Sequence, residues 1–368
     1  MTSVTKRSDI STPALLCDLD GLDSNIDKMA QRAQGKVGLR PHVKSHKSAF
    51  VARRQLDKGA RGLSCAKLSE AEKIVNRLTH NAVQNVSILI TSPTVGRKNA
   101  QRISELSRIC DLNVVVDHPD AAHELSQCHP TNLGVLCDVG VGLGRTGVVS
   151  AREALVVAES IAVTGSLLFR GIQWYAGHAQ HVVGRDLRRE TLQRSSNTIR
   201  LLIDALDSAG YPCEIRSGGG TGTWLLDIEE GILNELQVGS YVFMDREYRD
   251  ALGDDPEGAF VQSLSILSTV VSSNQRGFVT IDAGLKSMAT DAGNPRVLTN
   301  DEAVTYTFFG DEHGMVTTSS NSPLQRGDLV QLIPPHCDPT VDKYDVMYLM
   351  RGDEVVDVVP VDARGCSQ

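Results

Sequence analysis

Lys44 stands in the string Arg40-Pro41-His42-Val43-Lys44-Ser45-His46-Lys47, directly after the apolar approach Val37–Leu39. That spacing predicts a lysine at the C-terminal end of an early strand. Near other cations and partly desolvated, its pKa falls and its amine becomes a nucleophile towards an aldehyde. A solvated basic loop would use the same residues, and the string by itself leaves both readings open. A second string, Ser217-Gly218-Gly219-Gly220-Thr221-Gly222-Thr223, follows the strand-like Cys213–Arg216. Consecutive glycines let backbone N–H groups turn inwards around a phosphate, and the two threonine hydroxyls can add hydrogen bonds. The alternative is an ordinary glycine turn.

A third string, Pro335-His336-Cys337-Asp338-Pro339-Thr340, lies just after the apolar run Leu329–Ile333. In an extended backbone His336 and Asp338 project to one face and Cys337 to the other. One imidazole and one carboxylate make a half-built metal site with open positions, suited to Mn²⁺, Mg²⁺ or Zn²⁺. A surface histidine is the plainer reading. The fourth string, Gln173-Trp174-Tyr175-Ala176-Gly177-His178-Ala179-Gln180-His181, places two histidines three residues apart after a predicted strand. Either could serve as a general base near neutral pH, or both could be capping or core imidazoles. Asp138 and Arg145 flank the glycine-rich loop Gly140–Gly147, where an arginine could hold a cofactor oxygen or a substrate carboxylate.

These strings need a scaffold that brings strand ends together. From Thr12 to about Asp245, short apolar runs alternate with helix-like segments: Ala14–Cys17, Gly38–Pro41, Gly62–Cys65, Val86–Ile90, Leu112–Val116, Gly134–Val139, Phe169–Trp174, Glu214–Gly218 and Glu235–Val238 are the predicted strands. Seven or eight such units fit an α/β (β/α)8 TIM-like barrel better than an open sheet, and a barrel collects its chemistry at the C-terminal strand ends. Beyond Gln262 the texture turns β-rich, in runs such as Leu264–Val271, Phe278–Asp282, Asp328–Ile333 and Asp345–Arg351. The expected division is a barrel over 12–258 and a C-terminal all-β domain over 259–368, on which residues 1–11 could pack.

The chain has 368 residues, a net charge of −8 and no basic run, which argues against a nucleic-acid partner. Eight scattered cysteines without a CxxC pair read as reduced thiols. The polar N-terminus and the lack of a long apolar stretch predict a cytoplasmic protein without a membrane partner.

Taken in order, the strings resemble the D-threonine aldolase and eukaryotic-type D-serine dehydratase group, fold-type III pyridoxal-phosphate enzymes that share the alanine racemase fold. The resemblance runs from Thr12-Pro13-Ala14-Leu15 through RPHVKSHK, the 138–147 loop, SGGGTGT, the Glu235–Asp245 run and Asp282-Ala283-Gly284-Leu285-Lys286 to HCDPTV. It implies that Lys44 carries pyridoxal 5'-phosphate, that Ser217, Gly219, Gly220 and Thr221 form the phosphate site, and that His336 and Asp338 bind the divalent metal. It further implies Tyr175 beside the cofactor, Arg145 near its ring, and His181 facing the substrate, with His178 competing for the base role.

Within the group, aldolases look like HxD and dehydratases like HxC, and this chain has Asp338. The activity so implied is cleavage of D-β-hydroxy-α-amino acids of D-threonine type to glycine and an aldehyde. The alternative is a D-serine or D-threo-3-hydroxyaspartate dehydratase releasing a 2-oxo acid and ammonia. A non-catalytic carrier of the same fold would not need the β-rich half with its HCDP string. The resemblance also implies a homodimer acting on a small D-amino acid.

Overall fold

The computed structural model describes residues 5–80, 83, 85–253, 258–299, 301, 303–317 and 324–368. Its strands run in chain order as β1 (Ala14–Asp18), β2 (Gly38–Leu39), β3 (Leu63–Cys65), β4 (Ser87–Ile90), β5 (Asp111–Val116), β6 (Leu133–Val139), β7 (Leu167–Trp174), β8 (Ile215–Gly218) and β9 (Glu235–Leu236). There follow β10 (Leu264–Ser272), β11 (Phe278–Ile281), β12 (Arg296–Val297), β13 (Thr305–Phe308), β14 (Gly314–Thr317), β15 (Leu329–Ile333), β16 (Val346–Arg351) and β17 (Glu354–Pro360).

Among the described residues, β2 to β9 form an eight-stranded parallel sheet in the order β2-β9-β8-β7-β6-β5-β4-β3. The two ends of that order meet. His42, just past β2, bridges Ser64 of β3 in parallel, and Ser64 N–H donates to the Pro41 carbonyl at 2.9 Å. The sheet is therefore a closed TIM-like barrel, as the alternating pattern predicts. Strands covered on both sides read as continuous apolar runs, and all seven residues of β6 are buried. The helices supply the outer cover through one apolar stripe each; Leu68–His80 buries Leu68, Ala71, Ile74, Val75 and Leu78. Beside the β2–β9 pairing, Arg40 donates to both oxygens of Glu235, at 2.7 and 2.9 Å, with both side chains almost wholly buried. A bidentate, hydrogen-bonded geometry is what makes such a buried pair tolerable.

The run Ala14–Cys17, expected among the barrel strands, lies elsewhere. β1 pairs antiparallel with β10 and parallel with β16, in a sheet ordered β13-β14-β11-β10-β1-β16-β17 that also holds β15 and β12. Its hydrophobic contacts explain the placement: Ile10, Ala14, Leu16, Leu267 and Met350 form one buried cluster. The chain divides into two compact units. The barrel unit comprises Met29–Lys44, Ala49–Gly239 and Cys366–Gln368, and the β-rich unit comprises Met1–Lys28, Ser45–Ser48 and Ser240–Gly365. Against an expected boundary at 258/259, this division sets the N-terminal segment to Lys28, Ser45–Ser48 and the chain from Ser240 with the β-rich unit, and Cys366–Gln368 with the barrel unit. Residues 1–4 of the expected N-terminal arm lie outside the described residues. No helix among the described residues is long and apolar enough to cross a membrane, and all eight cysteines are free thiols.

Candidate active site

Lys44 sits in the 3-10 turn Val43–Ser45 that follows β2, at the C-terminal side of the barrel. Its backbone N–H donates to His42 Nδ1 at 3.4 Å. The other ring nitrogen, Nε2, lies 3.1 Å from Thr91 Oγ1, whose own proton goes to the Cys65 carbonyl at 3.2 Å. The Thr91 oxygen can then only accept, so His42 is the neutral Nε2–H tautomer. A buried imidazole thus fixes the turn that presents the lysine. Lys47, three residues on, has φ 50° and pairs with Asp342 at 2.8 Å within the β-rich unit.

Behind the mouth of the barrel lies a buried polar layer. Gln173, at the end of β7, donates to Asp138 Oδ1 at 2.9 Å and to the Thr91 carbonyl at 3.0 Å. It accepts from Gln237 Nε2 at 3.1 Å, which also donates to Ser217 Oγ at 3.0 Å. Thr146 caps the second Asp138 oxygen at 2.7 Å. Burial pushes the Asp138 carboxyl above its usual range, against the pull of Gln173 and Thr146. Ser217 is therefore held as part of this layer by Gln237, at the start of the glycine turn.

The glycine turn is shaped by its neighbours. Gly219 has φ +74°, and a Cβ there would come within 2.6 Å of Asp227 Oδ2. A Cβ on Gly220 would overlap the Gln180 side chain, and one on Gly222 the Gln180 carbonyl. A Cβ is thus excluded at Gly219, Gly220 and Gly222, and two of the turn's N–H groups are already engaged, that of Gly222 by Gln180 Oε1 at 3.0 Å and that of Gly220 by the Asp227 carboxyl. Of the two threonine hydroxyls that the sequence offers to a phosphate, that of Thr223 is engaged elsewhere. Thr223 donates its proton to Asp227 Oδ2 at 2.6 Å and accepts from Gln180 Nε2 at 2.9 Å, because the next helix, Trp224–Glu230, turns it inwards. Thr221, almost wholly buried, remains the threonine of the turn itself. Asp227 is pushed up to about 7 by its burial.

The loop after β6 and the turn after β7 face each other. The Arg145 guanidinium lies 5.6 Å from the Tyr175 ring centroid, a cation–π contact. In the turn Gly177–Ala179, the His178 imidazole packs so near Gly142 that a Cβ there would sit 3.4 Å from its Cε1. His178 and His181 are both exposed.

In the β-rich unit the HCDP string is not extended. His336 is the N-cap, with φ −142° and ψ 123°, and Cys337–Val341 is a short helix. Strand alternation therefore does not apply, and Cys337 does not turn away: its Sγ lies 3.3 Å from Asp338 Oδ1. Asp338 also accepts from Ser240 Oγ at 3.3 Å. His336 Nδ1 contacts Asp291 Oδ2 at 2.7 Å, a carboxylate that orients the ring. Burial pulls the His336 pKa down, but Asp338, Asp291 and Asp245 together hold it above its usual value. Burial pushes the Cys337 thiol well up. Among the described residues no cluster of three or more His, Cys, Asp or Glu forms a metal cage; His336 and Asp338 are two potential donors, one nitrogen and one oxygen.

Comparison with known proteins places this geometry. The family of the alanine racemase N-terminal domain matches residues 17–247, and a serine dehydratase domain matches residues 263–350. The chain is 35% identical to a D-threonine aldolase of Arthrobacter sp., covering 98% of this chain and 94% of that one. The chain belongs to the D-threonine aldolase family. It is likewise 36% identical to a 3-hydroxy-D-aspartate aldolase of Paracoccus denitrificans, over 98% and 93% of the two chains. The crystal structure of D-threonine aldolase from Filomicrobium marinum superposes with a TM-score of 0.94 at 33% identity, over 100% of both chains.

As a member of this family the protein is a lyase. Several of its site residues carry no signal in sequence spacing: His42, Thr91, Gln237 and Gln180 act through partners about 20 to more than 40 positions away. Gln180 lies inside the string Gln173–His181, beside the two histidines, but its burial and its contact with Gly222 appear only in the structure.

Proposed function

We propose that this lyase cleaves the Cα–Cβ bond of D-configured β-hydroxy-α-amino acids, of D-threonine type, releasing glycine and an aldehyde. The observation that carries the reading is Lys44, held by His42 at the end of a barrel strand, in the same unit as a glycine turn closed to side chains. A reactive amine and a backbone anion cradle are the donor set of a phosphate-bearing aldehyde, which supports pyridoxal 5'-phosphate as cofactor. Bound there, it supplies an electron sink for the pair left at Cα.

Lys44 is then the amine that holds the cofactor and, once displaced by the substrate amine, the group that handles the proton at Cα. Gly219, Gly220 and Thr221 bind the phosphate, Ser217 anchors the turn, and Arg145 and Tyr175 flank the ring. His181 or His178 takes the proton from the β-hydroxyl. His336, oriented by Asp291, and Asp338 form a nitrogen–oxygen pair that fits a divalent ion such as Mn²⁺, Mg²⁺ or Zn²⁺, which would supply a Lewis acid. Asp338 rather than cysteine at this position favours the aldolase over the dehydratase. We further propose that the protein works as a cytoplasmic homodimer.

Two variants test the assignment. Lys44→Ala abolishes the absorbance of bound cofactor, whereas His336→Ala keeps it and loses turnover. Full activity of His336→Ala after chelation overturns the metal part, and unaltered cofactor absorbance in Lys44→Ala overturns the rest.

A further inference from the structure

Gln180 is wholly buried, and its amide is used on every side. Its Oε1 accepts from Gly222 N–H at 3.0 Å, while its Nε2 donates to Thr223 Oγ1 at 2.9 Å and to the Ala176 carbonyl at 3.3 Å. The orientation is fixed, since Gly222 can only donate and the Ala176 carbonyl can only accept. The chain of donors has one direction: Gln180 to Thr223, and Thr223 to Asp227 at 2.6 Å. The approach is so close that neither Gly220 nor Gly222 can carry a Cβ. Gln180 also lies in the turn that holds His178 and His181, which its own N–H closes onto the Gly177 carbonyl at 3.2 Å.

We infer that Gln180 is a positioning residue, which locks the histidine-bearing turn Ala176–His181 to the glycine turn Gly218–Thr223, so that phosphate anchoring and histidine placement are set together. The inference rests on the cofactor reading above. A glutamine that only filled space would support stability alone. One that joins the two turns makes cofactor affinity and turnover depend on the same three hydrogen bonds.

The experiment uses the full chain stripped of cofactor and titrated with pyridoxal phosphate, followed by kinetics at saturating cofactor. Gln180→Ala is expected to raise the Kd for pyridoxal phosphate about tenfold or more and to lower kcat by a similar factor, with KM for the amino acid little changed. Gln180→Glu removes both donations and puts a carboxylate behind the phosphate turn, so its Kd rises further. Thr223→Val, nearly isosteric, removes the middle of the chain and is expected to raise Kd and lower kcat in the same direction, whereas Thr223→Ser restores both. In the double variant Gln180→Ala, Thr223→Val the two losses do not add. Wild-type Kd and kcat in Gln180→Ala and Thr223→Val, with only the melting temperature lowered, overturn this inference and leave the cofactor reading standing. Failure of the wild-type protein to bind pyridoxal phosphate overturns both.

Discussion

Asp227 offers a prediction whose size follows from the structure. Its carboxyl is fully buried under the glycine turn and accepts from Thr223 Oγ1, and burial raises its pKa from 3.8 to about 7, with Glu230 adding to the rise. The folded state therefore holds this proton more tightly than the unfolded chain does. The stability so gained is fully present below about pH 4 and is lost as the pH rises through about 7. A difference of about 3 pKa units corresponds to about 4 kcal/mol across that window. Asp227→Asn keeps the shape and one acceptor for Thr223 but cannot ionise, so its stability lacks this slope.

The assay is the melting temperature of cofactor-free wild type and Asp227→Asn at matched pH values. All other titrating groups are common to both proteins and cancel in the difference. At about pH 5 the two melt close together, with the variant at or below the wild type. By about pH 8 the variant gains on the wild type by up to roughly 10 °C, taking about 2–4 °C per kcal/mol for a unit of this size. A difference that stays constant with pH would refute the argument, because it would mean that the Asp227 carboxyl titrates as an ordinary one.

Two further perturbations probe the frame around the site. Gly219→Ala puts a Cβ at φ +74° and 2.6 Å from Asp227 Oδ2, so it should cost more than about 1 kcal/mol in urea unfolding and weaken binding of pyridoxal phosphate. Arg40→Met leaves Glu235 buried without its cation and should cost about 3–5 kcal/mol, of which the double variant Arg40→Met, Glu235→Leu recovers most. Equal stability of single and double variants would contradict that account.

The barrel was legible because strands buried on both faces announce themselves as short apolar runs between helical stripes. Predicted and observed limits agree to within one or two residues at β4, β5, β6 and β8. The same local pattern does not say which sheet a strand joins, and so the run Ala14–Cys17 was misplaced: the partners of its strand, Leu264–Leu267 and Tyr348–Met350, lie some 250 to 330 residues away. Lys44 was legible as a strand-end lysine, but the His42–Thr91 contact that fixes it crosses 49 positions. The shared face of His336 and Asp338 was argued for an extended backbone, although the HCDP string carries its own helix signal. Pro339 falls in the first turn, where a proline lacks no hydrogen bond, and that placement brings Cys337 Sγ beside Asp338. The link between Gln180 and Gly222 depends on two turns meeting in space, which no periodicity records.

The central claim is tested most directly by the identity of the products. The purified protein, supplied with pyridoxal phosphate and Mn²⁺, is given matched D- and L-β-hydroxy amino acids, threonine, phenylserine and 3-hydroxyaspartate among them, and aldehyde, glycine and 2-oxo acid are assayed together. The account predicts aldehyde and glycine in equal amounts from the D-substrates alone. A 2-oxo acid with ammonia, or turnover of the L-series, would contradict it.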